Sequence, residues 1–127
     1  MKIAVVTGAS SGMGREFVKQ LDAETVFDEI WVIARRKDKL ESLSTEVAAK
    51  VRPICLDLSK RESFDEYAAL LGEEKPEVAV LVNGSGFGKF GTFAEMDLDG
   101  QLAMIDLNDK ALVAMTYLTL PYMKEGG

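Results

Sequence analysis

The chain has 127 residues, 47% of them apolar, and a net charge of −6; this suits one packed globular domain and excludes a disordered chain. It contains no histidine, which removes a Ser-His-Asp triad, a Cys-His pair and a histidine metal site from consideration. No apolar run approaches the roughly 18 residues of a membrane helix, and Arg35-Arg36-Lys37 is the sole basic cluster, so neither a membrane nor a nucleic acid is an expected partner.

Met1 and Lys2 lead directly into an apolar stretch without a signal peptide, and the single Cys55 cannot form an internal disulfide; both point to a reducing, cytoplasmic setting. Ile3 to Val6 is rich in β-branched residues and predicts a strand buried on both faces. Thr7 ends it, glycines follow at positions 8, 12 and 14, and Phe17, Val18 and Leu21 then recur at helical spacing. Strand, glycine turn, helix is an arrangement that holds a phosphate against backbone N–H groups at a helix N-terminus. Gly8 would permit the tight turn, Gly12 would let a pyrophosphate approach where no Cβ stands, and Gly14 would let helix and strand pack closely. The spacing Gly8-x-x-x-Gly12-x-Gly14 departs from the common Gly-x-Gly-x-x-Gly fingerprint.

Further along, Glu29 to Ala34 predicts a second strand, and Lys39 to Lys50 a helix with Leu40, Leu43, Val47 and Ala48 on one stripe. Val51 to Leu56 predicts a third strand, in which Pro53 lacks an N–H and favours the sheet edge. Ser59 is expected to cap a helix running to about Gly72, burying Phe64, Tyr67, Ala68 and Leu71. Val78 to Val82 predicts a fourth strand, and a long helix is expected from about Leu98 to Met123. Strands alternating with helices mean right-handed crossovers and a parallel α/β sheet, with strand order 3-2-1-4 by the doubly wound rule.

The form Thr7-Gly8-x-x-x-Gly12-x-Gly14 resembles the opening of the short-chain dehydrogenase/reductase family. The resemblance covers residues 1–127 and implies the N-terminal part of a three-layer Rossmann-type domain that binds NADP(H). It implies that Thr7, Gly8, Ser10, Ser11, Gly12, Met13 and Gly14 contact that cofactor. At the end of the second strand, an Asp or Glu would accept a hydrogen bond from the ribose 2′-hydroxyl of NAD. This chain has Ala34 there, followed by Arg35 and Arg36, whose guanidinium groups can pair with a 2′-phosphate and stack on adenine. The reading is NADP(H) over NAD. Asp57-Leu58, after the third strand, resembles the family's clamp on the adenine amino group. Asn83-Gly84-Ser85-Gly86 resembles the family's Asn-Asn-Ala-Gly element, with Gly84 and Ser85 as departures. The glycine-rich loop from Gly86 to Gly91 would line the mouth of the site, where Phe87 and Phe90 either meet substrate or anchor the loop. Asn108 looks like the family's catalytic Asn, which bends its helix and frees a carbonyl for a water of the proton relay.

The family's acid–base pair, Tyr-x-x-x-Lys, does not occur in this sequence. Four residues beyond Tyr67, Tyr117 and Tyr122 stand Leu71, Pro121 and Gly126. In the family the pair follows the helix that ends near Met123. The chain therefore reads as the cofactor-binding half of an oxidoreductase that passes hydride between nicotinamide and a carbonyl or alcohol, and as inactive alone. A non-catalytic nucleotide-binding or interaction module is the alternative; a methyltransferase of similar fold would carry an acid near Ala34. The last helix is apolar all round, from Leu112 through Met115, Tyr117 and Leu118 to Tyr122, so more protein is expected to cover it, either the family's C-terminal half or a partner chain in a homo-oligomer. No metal is expected.

Overall fold

The computed structural model describes residues 1–9, 12–24, 26–47, 50–86, 91–124 and 127. Four parallel strands form one sheet in the order β3-β2-β1-β4, as expected. They are β1 (Lys2–Thr7), β2 (Glu29–Ala34), β3 (Val51–Cys55) and β4 (Glu77–Asn83). Between them run α1 (Gly12–Glu24), α2 (Lys37–Leu43) and α3 (Arg61–Glu74), and after β4 come α4 (Leu98–Ile105) and α5 (Ala111–Thr119). A π-helical turn, Asp106–Lys110, joins α4 to α5. None of the described helices is long and apolar enough to cross a membrane.

Two cores flank the sheet, because the pleat sends alternate side chains to opposite faces. Ile3 and Val5 of β1 and Trp31 and Ile33 of β2 pack against Tyr67 and Leu71 of α3 and Met115 of α5. Ala4, Val6, Ile30 and Val32 pack on the other side against Val18 of α1 and Leu40 and Leu43 of α2. This makes three layers. The central strands are apolar on both faces for that reason, and each fully buried aliphatic side chain contributes about 1.5–3 kcal/mol. Pro53 lies in β3, the edge strand, opposite Val32.

Three element boundaries differ from expectation. The second helix begins at Lys37 and stops at Leu43, short of Lys50. Ser42, Ser44 and Thr45 each turn a hydroxyl back onto the carbonyl three residues earlier, at 2.8, 2.7 and 2.7 Å. Such bonds offer the backbone a local alternative to helix. Val47 still packs on the core, and Ala48 lies outside the described residues. Secondly, Ser59 does not cap α3. Lys60 takes that position in an extended conformation, while Asp57 Oδ1 accepts from the Ser59 amide at 3.0 Å and from its hydroxyl at 2.6 Å. The helix then runs past Gly72 to Glu74 and is closed by Lys75, whose φ of 46° is left-handed. Thirdly, the final helix is not uniform. The π turn interrupts it between α4 and α5, and a short 3-10 turn over Leu120–Tyr122 finishes it.

Candidate functional site

In an open parallel sheet, ligands bind outside the carboxyl ends of the strands where the strand order reverses. Here that point lies between β1 and β4, and the two strands are fastened together just beyond it. Thr7 is buried at the end of β1. Its Oγ1 accepts from the Gly84 amide at 3.0 Å and the Ser85 amide at 3.2 Å, and donates to the Val82 carbonyl at 3.5 Å.

The glycine turn sits directly on this junction. Gly8 has φ of 66°, its amide donates to the Ile33 carbonyl at 2.9 Å, and a Cβ on it would collide with the Gly84 carbonyl. Gly14 lies so close to the Gly8 carbonyl that no side chain fits there either. Gly12 differs: its φ is 61°, but among the described residues a Cβ on it would meet no atom beyond its own chain neighbours and helix backbone within 4 Å. The protein thus keeps a left-handed glycine at the N-terminus of α1 with open space before it. Such a geometry can hold a phosphate through backbone N–H groups and the helix dipole. Met13, beside it, is 82% exposed. Ser10 and Ser11 lie outside the described residues.

From Gly8 a cleft of about 300 Å³ runs past Ala34, Arg35, Arg36 and Leu58 to Gly84, Ser85 and Leu107. Ala34 is the last residue of β2, and Arg35 and Arg36 are exposed on the rim. The Cys55 thiol donates to the Arg35 carbonyl at 3.1 Å, and the Leu56 amide donates to that of Ala34 at 3.1 Å, so the strand ends fix the start of this rim. Asp57 stands between two lining residues, Leu56 and Leu58, but does not itself line the cleft. The Ser59 hydroxyl above all, with its amide and the charges of Arg35 and Lys60, holds the Asp57 carboxyl below its ordinary value, against the opposing effect of partial burial.

Asn83 closes β4 and turns away from the cleft, its Nδ2 donating to Thr116 Oγ1 at 3.2 Å. The following Gly84, Ser85 and Gly86 do line it. Asn108 lies at the middle of the π turn, half-buried. A Cβ on Gly86 would stand 2.7 Å from Asn108 Oδ1, so the Asn108 side chain abuts the loop that ends the cleft. A π turn inserts an extra residue into the helical repeat and recurs at functional sites. Phe87 and Phe90 lie outside the described residues.

Sequence reasoning missed Lys39, which also lines the cleft. The available signal was its nearness in sequence to Arg35 and Arg36, which precede α2. A larger groove of about 880 Å³ lies elsewhere, between α3 and α5, with Phe64, Ala68, Val113 and Tyr117 on its walls. It carries no residue of the glycine turn.

Residues 2–127 match the short chain dehydrogenase family. Similar proteins include an uncharacterized oxidoreductase of Staphylococcus aureus, 30% identical over 98% of this chain and 53% of that protein. An NADP-dependent 3-hydroxy acid dehydrogenase of Schizosaccharomyces pombe is 32% identical over 99% of this chain and 51% of its own length. Among solved structures, an alcohol dehydrogenase from Thermococcus sibiricus complexed with 5-hydroxy-NADP superposes with a TM-score of 0.86. It shares 29% identity, over 96% of this chain and 53% of that one. The chain spans about half the length of these proteins. By sequence match, sheet order and strand–glycine turn–helix geometry, this chain belongs to the short chain dehydrogenase family.

Proposed function

We propose that this chain is the cofactor-binding half of an NADP-dependent oxidoreductase acting on a carbonyl or alcohol. One observation carries the cofactor choice. The end of β2, where a carboxylate would meet a ribose 2′-hydroxyl, holds Ala34 followed by Arg35 and Arg36 on the rim of the cleft that starts at Gly8. A carboxylate there would repel a 2′-phosphate; two guanidinium groups attract it and can pair with it in bidentate fashion. The NADP named for the yeast relative and the 5-hydroxy-NADP in the archaeal structure support the same reading.

In this reading the Gly12 turn holds the pyrophosphate, Arg35 and Arg36 hold the 2′-phosphate, and Leu58 packs near the adenine. Asp57 is the neighbouring acceptor for the adenine amino group. The bound nicotinamide supplies the hydride donor or acceptor. Asn108, on the π turn beside Gly86, positions a water at the far end of the cleft. The family's proton donor, the Tyr of Tyr-x-x-x-Lys, does not stand among these 127 residues. A Ser followed by Tyr-x-x-x-Lys in any coding sequence past Gly127 would support the enzyme, and its absence would support a nucleotide-binding module.

The direct test is a double variant, Ala34→Asp with Arg35→Ser. Loss of the charged contact is expected to weaken NADPH binding by about 1.5–3 kcal/mol while NADH binding improves. Unchanged NADPH and NADH affinities in this variant would contradict the assignment.

A further inference from the structure

Arg35, Arg36 and Lys39 all line the same cleft, and among the described residues no carboxylate does, although Asp57 beside it feels the charge of Arg35. This is a local excess of positive charge on a chain whose net charge is −6. The ion pairs among the described residues involve none of the three. Like charges gathered in one cleft repel each other and raise the local affinity for an anion.

The backbone of Lys39 is held by neighbouring side chains. Its carbonyl accepts from Ser42 Oγ at 2.8 Å and from Arg15 Nη1 at 3.3 Å. Arg15 is anchored in turn by Glu46 at 2.8 Å. The next residue, Leu40, is fully buried, and its amide donates to the Arg36 carbonyl at 3.2 Å. Lys39 itself is half-buried, whereas Arg35 and Arg36 are exposed. Lys37, on the same helix, provides the contrast, since it is exposed and pairs with Glu41 at 3.8 Å. A cation on a backbone held in this way gives up little backbone freedom on binding.

We infer that Lys39 is a specificity-determining residue for the 2′-phosphate, the third cation of a site that Arg35 and Arg36 begin. The inference rests on the NADP reading proposed above. A phosphomonoester carries about −1.5 to −2 charges and three acceptor oxygens at pH 7, so a third cation can share it with the two guanidinium groups. The lysine ammonium adds a point charge from the α2 side, while the arginines supply the planar contacts. Arg15 acts as a positioning residue, tying the helix of the phosphate turn to the backbone of Lys39.

The test is calorimetric titration of the full chain with adenosine 2′,5′-bisphosphate and with adenosine 5′-monophosphate. These probes differ only in the 2′-phosphate. The unmodified protein is expected to prefer the bisphosphate. Lys39→Gln should weaken bisphosphate binding about tenfold and leave the monophosphate unchanged. Lys37→Gln should change neither, and Lys39→Arg should restore most of the preference. If Lys39→Gln keeps the full preference, or weakens both probes equally, the role of Lys39 is overturned while the NADP reading stands. If the unmodified chain binds both probes equally, the NADP reading falls and this inference with it.

Discussion

Gly8 and Gly12 share a left-handed backbone, with φ of 66° and 61°, yet they answer to different neighbours. At Gly8 a methyl group would press on the Gly84 carbonyl; at Gly12 it would enter open space. Both substitutions to Ala carry a conformational cost of about 1–2 kcal/mol, and only Gly8→Ala adds a collision with backbone. Urea denaturation is expected to find Gly8→Ala clearly less stable than Gly12→Ala, while Gly12→Ala stays folded and loses NADPH affinity. Equal stabilities, or full NADPH affinity in Gly12→Ala, would contradict these roles. The glycines were legible because their spacing follows from backbone geometry. Lys39 was not, because its importance depends on the path of α2. Ser59 was expected to cap α3, but its amide and hydroxyl both donate to Asp57 Oδ1, an acceptor that only the folded turn selects.

At the scale of elements, the apolar strands were legible throughout, since a strand covered on both faces has little choice of residue. Helix ends were not. The hydroxyl bonds at the end of α2 compete with the helix for the same carbonyls and leave no periodic trace in the sequence. The contact that binds α3 to α5 was equally hidden. Tyr67 and Thr119 share a buried hydrogen bond of 2.7 Å, and burial pushes the Tyr67 hydroxyl up from 10.0 to about 12. Tyr67→Phe would strand the Thr119 hydroxyl and is expected to cost about 1–3 kcal/mol, whereas adding Thr119→Val should recover most of that loss. Chemical denaturation of the two single variants and the double variant checks this, and simple additivity would contradict it. In alkali the unfolded chain ionises this tyrosine near its ordinary value, while the folded chain keeps it neutral to about 12. The Tyr67 contribution is therefore lost as pH rises above 10.

For the molecule as a whole, the strand order was legible from alternation and crossover handedness, and the order in turn located the cleft at the β1–β4 junction. What covers α5 was not. Val113 is 68% and Tyr117 77% exposed, and among the described residues the outer edge of β4 has no partner strand. Expressed by themselves, these 127 residues are expected to self-associate through that surface. Sedimentation at low micromolar concentration should detect species heavier than one chain, and Tyr117→Glu should disperse them. A well-behaved monomer in the unmodified protein would contradict the expectation.

The proposed NADP(H) site is the cleft that runs from Gly8 past Arg35 and Arg36. Calorimetric titration of the unmodified chain with NADPH and NADH, at one fixed salt concentration, tests it most directly. NADPH is expected to bind more tightly by about tenfold or more, corresponding to at least ~1.4 kcal/mol. Equal affinities, or tighter binding of NADH, would contradict the account.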